Sequence, residues 1–170
     1  MASQIPFVRD LTFDYGKVDQ VTPMIRRVIA ENPGPFTFHG TGSYIIGHGN
    51  VAVIDPGPLV DNHVNALLAA VTDETVTHIL ITHTHRDHSP AAEPFKHATG
   101  APVYAQGRHS LGTTWSGVDR TASHGADLDF QPDHEIQDGD IIAGDGWTFE
   151  AVHTPGHTNN HLCFALQEES

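Results

Sequence analysis

The residues best suited to chemistry stand together at residues 83–88, which read HTHRDH. This segment holds three histidines and one aspartate, and it follows an apolar run directly. Neutral imidazoles and ionised carboxylates are the ligands that divalent cations such as Zn²⁺ take in proteins. Crowding such groups at the end of a buried strand is unfavourable unless something binds them. The segment therefore predicts a metal site.

The spacing within the segment divides its ligands into two pairs. His83 and His85 are two residues apart, so on an extended chain their rings lie on the same side and can bind one ion. Asp87 and His88 follow on the next turn and point elsewhere, so the segment could serve two adjacent metals. A catalytic zinc usually takes three protein ligands plus water. The missing ligand must come from elsewhere, and His157 is the obvious candidate.

Short apolar runs bounded by turn residues predict the strands that position these groups. A strand rich in β-branched residues at 76–82 delivers the histidine cluster onto the loop beyond its end. The other predicted strands are residues 36–39, 43–47 and 51–55, as an antiparallel meander, and residues 102–105, 147–152 and 162–167.

Two helices are predicted between the strands. The first has apolar residues at i, i+3, i+4 and i+7, with Asp61 or Asn62 as its N-cap, and should cover one face of the sheet. Its apolar stripe consists of Val64, Leu67, Leu68 and Val71. The second spans residues 91–99, with Ser89 as N-cap and Gly100 closing it. Residues 106–138 show no periodicity, and residues 138–145 read as turns. This order of elements predicts a layered α/β domain.

Composition places the chain among globular proteins. Of its 170 residues, 38% are hydrophobic and 17% charged, which favours a single globular domain. The breaker at residues 32–35 (NPGP) divides the chain into an N-terminal lead-in, 1–35, and the domain, 36–170. One cysteine excludes an internal disulfide, and the N-terminal residues show neither a signal peptide nor a membrane span, so we expect a cytoplasmic protein with no membrane partner. A formal charge of -13 disfavours nucleic acid as a partner.

Three motifs resemble those of a known family. Residues 83–88 match the HxHxDH signature of the metallo-β-lactamase superfamily, and residues 153–158 (HTPGHT) resemble its downstream turn. Residues 55–57 (DPG) resemble its early Asp-x-Gly strand end. The motifs stand in the expected order, and the chain is similar to the β-lactamase-like and glyoxalase II-like branch.

The resemblance implies a fold, a ligand set and a reaction. The fold would be the αβ/βα sandwich, with mainly its first half in this chain. One metal would be held by His83, His85 and His157, the second by Asp87 and His88, with Asp55 orienting the ligands. Two divalent cations, Zn or alternatively Mn or Fe, would share a water or hydroxide that attacks a small-molecule ester, thioester, lactone or amide. Asp87 would orient that water or carry its proton.

The chain departs from the family pattern after residue 158. In the family a bridging aspartate follows this turn and a last histidine comes much later, and we expect both to be absent here because the sequence stops at Ser170. Asp145 cannot be that aspartate, because it precedes His157. The second βα half is also missing, so we expect the chain to be the N-terminal part of a longer enzyme. The alternatives are an endoribonuclease or phosphodiesterase of the same superfamily, and a non-catalytic metal-binding scaffold or inactive fragment.

Of four other residues, three have two readings each and Cys163 has one. His161 either faces the substrate or metal site or simply begins the next strand, and Arg86 either meets an anionic group or lies exposed on its loop. Cys163 is expected in the core of an apolar strand. Trp115 either lines a substrate pocket or pins its own loop.

Overall fold

Ten strands and two helices form in the part of the chain that the computed structural model describes, residues 11–108 and 125–169. The strands are β1 (Val18–Gln20), β2 (Ile25–Ile29), β3 (Gly42–Ile46), β4 (Asn50–Ile54), β5 (Thr75–Leu80), β6 (Val103–Ala105), β7 (His134–Glu135), β8 (Ile141–Ala143), β9 (Thr148–His153) and β10 (Leu162–Leu166). The helices are α1 (Asp61–Ala70) and α2 (Ala92–Thr99).

The strands make two sheets. Strands β1 to β7 lie in sequence order in a seven-stranded sheet, and β10, β9 and β8 form a three-stranded antiparallel sheet. The first four strands are antiparallel, whereas β4 to β7 run parallel. Parallel neighbours need crossover connections, and α1 supplies the one from β4 to β5, whereas α2 supplies the one from β5 to β6. The carboxyl ends of β4 and β5 therefore meet at one edge, where residues 55 and 83 follow.

The large sheet is buried on both faces. Alternate residues of a strand point to opposite faces. On β5, Ile79 faces the cluster that includes Leu67 of α1 and Phe95 of α2, and Leu80 faces the small sheet with its Phe149. The chain is thus a layered α/β domain with helices on one side and the second sheet on the other.

Trp147 fixes the spacing between the two sheets. Its side chain is 1% exposed, and its indole Nε1–H donates to the backbone oxygen of Asn50 over 3.1 Å. A Cβ at Gly47 would lie 2.7 Å from the indole, and one at Gly144 would lie 2.1 Å from it. The ring is therefore enclosed by two positions that only glycine can occupy without displacement.

Most predicted strands and both helices are confirmed, but the strand at residues 36–39 is wrong. Phe38 has a φ of 53°, and the backbones of Gly34 and Phe38 pair in a tight hairpin. Strands β1 and β2, within the predicted lead-in, were not foreseen, and they extend the large sheet through pairing of β2 with β3. The short strands β7 and β8 lie in segments predicted to be loop and turns.

The predicted helix N-caps are also wrong. Helix α1 begins after Val60 and α2 after Ala91, and neither cap residue makes a side-chain hydrogen bond. Ser89 instead donates its hydroxyl to Asp127 Oδ2 over 2.7 Å. The predicted C-terminal glycine is confirmed, since Gly100 has the left-handed conformation with a φ of 76°. Trp115 lies outside the described residues. No helix in residues 11–108 and 125–169 is long and apolar enough to span a bilayer.

Replacing Gly144 by alanine tests the packing of Trp147. Because the new methyl would overlap the indole, we expect Gly144→Ala to lower the free energy of unfolding by about 1–3 kcal/mol, the usual cost of overpacking. Urea unfolding followed by tryptophan fluorescence measures the change. Gly156→Ala is the matched control, since nothing lies within 4 Å of its Cβ position. Equal midpoints for the two variants would contradict the packing described.

Candidate metal centre

Asp55 joins the ends of two neighbouring strands. It follows β4, and its Oδ1 accepts the backbone N–H of Thr82 over 2.8 Å. Its Oδ2 accepts the Thr82 hydroxyl over 2.6 Å. Thr82 lies two residues beyond the end of β5, so the carboxylate fixes where residues 83–88 leave the sheet. The predicted orienting residue thus contacts the residue that directly precedes the histidine cluster.

The same hydrogen bonds determine the tautomer of His83. Its Nδ1 lies 3.0 Å from the Thr82 hydroxyl oxygen. The one hydrogen of that hydroxyl is given to Asp55, which when ionised can only accept, so the Thr82 oxygen must accept from Nδ1–H of His83. A neutral imidazole protonated at Nδ1 carries a lone pair on Nε2. Nε2 of His83 is therefore prepared to bind a metal ion.

Three histidines converge around that lone pair. His83, His85 and His157 each offer a ring nitrogen, and these atoms all lie within 4.8 Å of one another. The ring centroids are 4.6 to 4.9 Å apart. His83 is 4% exposed, and its Nε2 is buried without a hydrogen-bond partner. An unpaired buried nitrogen is costly, so a zinc-type cation fits this three-nitrogen group.

Asp87 and His88 form a second, charged cluster beside the first. His88 donates from Nδ1 to Asp55 Oδ2 over 2.8 Å, and its Nε2 lies 3.2 Å from Asp87 Oδ2. Burial alone would lower the pKa of His88, but the hydrogen bonds to both carboxylates outweigh burial and raise it to about 10. The hydrogen bond from His88 also lowers the pKa of Asp87 to about 2. Two carboxylates thus favour positive charge at this position.

The second predicted metal position gathers fewer ligands than the first. Within the described residues, the group of three histidines is the only set of three or more His, Cys, Asp or Glu side chains arranged to hold an ion. Asp87 and His88 are neighbours without a third ligand. The structure therefore brings together His83, His85 and His157, and it places Asp87 and His88 alongside them.

The turn that carries His157 is tied to the signature segment by residues that the sequence analysis did not single out. Asn160 donates from Nδ2 to the Thr84 hydroxyl over 2.9 Å and to the Gly107 carbonyl over 3.3 Å. The N–H of Leu162 donates to the Thr82 carbonyl over 2.8 Å. Thr82 and Thr84 alternate with His83 and His85, so a strand pattern could have found them. No comparable signal marks Asn160.

The remaining candidates are placed as follows. The His161 ring lies 5.1 Å from that of His83, and burial, followed by the charge of His157, lowers the pKa of His161. Arg86 donates from Nε to the Ala126 carbonyl over 3.3 Å, which gives it a partner within the chain. Cys163 is exposed, so its predicted place in the core is wrong, because Leu162 takes the inward position of β10.

A family model described as the metallo-beta-lactamase superfamily matches residues 37–170. An atrochrysone carboxyl ACP thioesterase from Cryptosporiopsis sp. (strain 8999) is 34% identical over 155 residues, covering 89% of this chain and 42% of that protein. A lactamase-like protein, ptaB, from Pestalotiopsis fici is 31% identical over 156 residues, covering 90% of this chain and 44% of that protein.

Solved structures show the same fold. The subclass B3 metallo-beta-lactamase BJP-1 of Bradyrhizobium japonicum aligns with a TM-score of 0.65 at 20% identity, over 88% of this chain and 56% of that one. ETHE1 from Myxococcus xanthus aligns with a TM-score of 0.57 at 23% identity, over 84% of this chain and 53% of that one. The chain spans less than half the length of the two relatives matched by sequence. On the match of the family model to residues 37–170, the chain belongs to the metallo-beta-lactamase superfamily.

Proposed function

We propose that this chain carries the metal-binding residues of a hydrolase that cleaves a small-molecule thioester or related ester. The observation that carries the proposal is the buried, unpartnered Nε2 of His83 facing His85 and His157. These three residues would hold one divalent cation, for which zinc suits the nitrogen ligands, although Mn or Fe also bind such sites. Asp87 and His88 would contribute to a second ion.

A thioester is favoured among the possible electrophiles. Relatives at 31 to 34% identity are named atrochrysone carboxyl ACP thioesterases, and the matches to them cover 89 to 90% of the present chain. The formal charge of -13 argues against a polyanion such as RNA, because a nuclease needs a basic track to bind phosphates. A thioester of a neutral or weakly charged acyl group meets no such barrier.

Different residues of the chain have different roles in the proposed hydrolysis. A bound divalent cation supplies Lewis acidity and lowers the pKa of water. Asp55, through Thr82, keeps the Nε2 lone pair of His83 available. Asp87 stays ionised because its pKa is about 2, so its carboxylate can accept a hydrogen bond from the attacking water and orient it. His88 is held by Asp55, which fixes its ring beside Asp87.

Removing one histidine of the group tests the metal centre. We expect His85→Ala to bind Zn²⁺ far more weakly, because only two of the three nitrogens remain. The loss of affinity should exceed the roughly 10–100-fold that is typical of losing a residue that only orients a ligand. Elemental analysis after equilibration with buffered zinc measures the change. His97→Ala, which removes an exposed histidine at the end of α2, is the control. Equal zinc contents for the two variants would contradict the assignment.

Asp55→Asn tests the orienting role of the buried carboxylate. Asparagine has the same shape and tolerates the positive φ of 48° at this position, so the backbone should be retained. The amide no longer fixes the Thr82 hydrogen, and we expect zinc affinity to fall by about 10–100-fold. A competition titration with a chromogenic chelator measures it. The exposed Asp73→Asn should keep the wild-type affinity, and an Asp55→Asn variant that also kept it would exclude the role.

Thioester hydrolysis tests the function itself. We expect the zinc-loaded chain to hydrolyse S-methyl thiobenzoate, with thiol release followed by a disulfide reagent. Asp87→Ala should lower kcat by about 100-fold or more, as loss of a group that handles the attacking water does, while zinc stays on the three histidines. Asp73→Ala is the control. A wild-type chain that binds zinc and hydrolyses no thioester would favour the non-catalytic metal-binding alternative for this form.

A further inference from the structure

We propose that His161 contacts the substrate and donates a hydrogen bond from Nε2–H to its carbonyl oxygen. This inference rests on the proposed hydrolysis and extends it to a residue outside the signature. His161 lies between the HTPGHT turn and β10, and its ring centroid is 5.1 Å from that of His83 and 6.3 Å from that of His157. A group that binds at the three histidines would therefore lie beside this ring.

The backbone and one hydroxyl hold the His161 ring in place. The N–H of Thr154 donates to the carbonyl of His161 over 2.9 Å, which fixes the two residues across the β9–β10 hairpin. The Thr154 hydroxyl oxygen lies 2.7 Å from Nδ1 of His161. The other ring nitrogen, Nε2, points away from Thr154, because Nδ1 is the nitrogen that faces the hydroxyl. The ring is only partly buried, so a ligand can reach it.

The direction of the hydrogen bond between the Thr154 hydroxyl and Nδ1 of His161 follows from the second neighbour of that hydroxyl, Cys163. Cys163 Sγ lies 3.4 Å from the Thr154 hydroxyl oxygen. Sulfur is a weak acceptor and a neutral imidazole nitrogen a strong one, so the hydroxyl hydrogen goes to Nδ1 of His161 and the thiol hydrogen to the Thr154 oxygen. With Nδ1 accepting, the ring proton of His161 sits on Nε2.

His83 is suited to bind a metal and His161 to bind a substrate, because their Nδ1 atoms have different roles in hydrogen bonds to threonine. Both have a threonine hydroxyl at Nδ1, at 3.0 Å for His83 and 2.7 Å for His161. The Thr82 hydrogen is taken by Asp55, so His83 must donate from Nδ1 and keeps a lone pair on Nε2. In the described part of the chain, no carboxylate contacts the Thr154 hydroxyl. His161 therefore presents an N–H where His83 presents a lone pair.

A fixed donor at this position has a chemical use. When water adds to a thioester carbonyl, the carbon–oxygen π electrons move onto the oxygen, and a preorganised N–H stabilises the charge that develops there. The gain is realised mainly in the transition state, so its loss should lower kcat more than it changes KM. His161 keeps its proton throughout and needs no co-reactant.

The tautomer is measured directly by NMR of the zinc-loaded chain at pH 8, where an ordinary histidine is neutral. In ¹⁵N-labelled protein, we expect His161 to show a protonated Nε2 and an unprotonated Nδ1. Thr154→Val should produce a mixture of tautomers, whereas Thr154→Ser should keep the wild-type pattern. Propiophenone, the ketone analogue of S-methyl thiobenzoate, should shift the Nε2 resonance of the wild-type protein. A proton on Nδ1 would overturn the proposal.

Two isosteric variants separate a donor from a structural role. The amide of glutamine reaches the position of Nε2, whereas that of asparagine reaches the position of Nδ1. We expect His161→Asn to lower kcat for S-methyl thiobenzoate by about 100-fold with little change in KM, as loss of one oxyanion donor does. His161→Gln should recover most of that loss. Both variants should retain the zinc content of the wild type, and His97→Asn serves as the control.

Each other result has a defined meaning. Loss of zinc in both His161 variants would make His161 a metal ligand and overturn the proposal, as would wild-type kcat in His161→Asn. If the wild-type chain hydrolyses no thioester, the proposed function fails for this form. The role of His161 is then decided by its tautomer and by whether propiophenone shifts Nε2 in the wild type and binds more weakly to His161→Asn.

Discussion

The candidate metal centre depends on the hydrogen bonds that the buried carboxylate of Asp55 accepts. It is 4% exposed, and a charge buried to that degree is costly unless donors surround it. Its two oxygens accept the Thr82 N–H, the Thr82 hydroxyl and Nδ1 of His88. Its own N–H donates to the Leu80 carbonyl over 2.9 Å. One buried charge thereby aligns two strand ends, sets the tautomer of His83 and fixes the His88 ring.

The histidine group also requires the two sheets to be docked. His83 and His85 follow a strand of the large sheet, whereas His157 lies on the hairpin of the small sheet, whose Leu162 N–H reaches the Thr82 carbonyl over 2.8 Å. The inner faces are joined by apolar side chains around Trp147. A packing defect at Trp147 should therefore weaken metal binding without touching a ligand, because it loosens the element that delivers the third nitrogen.

The sequence predicts what depends on local pattern and misses what depends on distant pairing. The order of motifs and strand periodicity predicts β3 to β6, β9, β10, both helices and the candidate ligands, and the fold class is confirmed. Phe38 is predicted to lie in a strand because aromatic residues are enriched in strands, whereas its backbone is left-handed. The role of Asn160 depends on Thr84, which lies 76 residues earlier. The division into 1–35 and 36–170 stays a prediction, although β2 pairs with β3.

The cluster of Asp87 and His88 favours a cation electrostatically, but it lacks a third ligand among the described residues. Asp55 and Asp87 raise the pKa of His88 to about 10. Without a metal ion, the positive charge that the two carboxylates favour is therefore supplied by a proton on His88. A divalent cation beside Asp87 would supply that charge instead, with His88 turned neutral and able to coordinate. Catalytic zinc takes three protein ligands, and Asp87 and His88 would provide two. A second ion would therefore need a further ligand beyond those that the described residues bring together, whereas the ring nitrogens of His83, His85 and His157 already lie together.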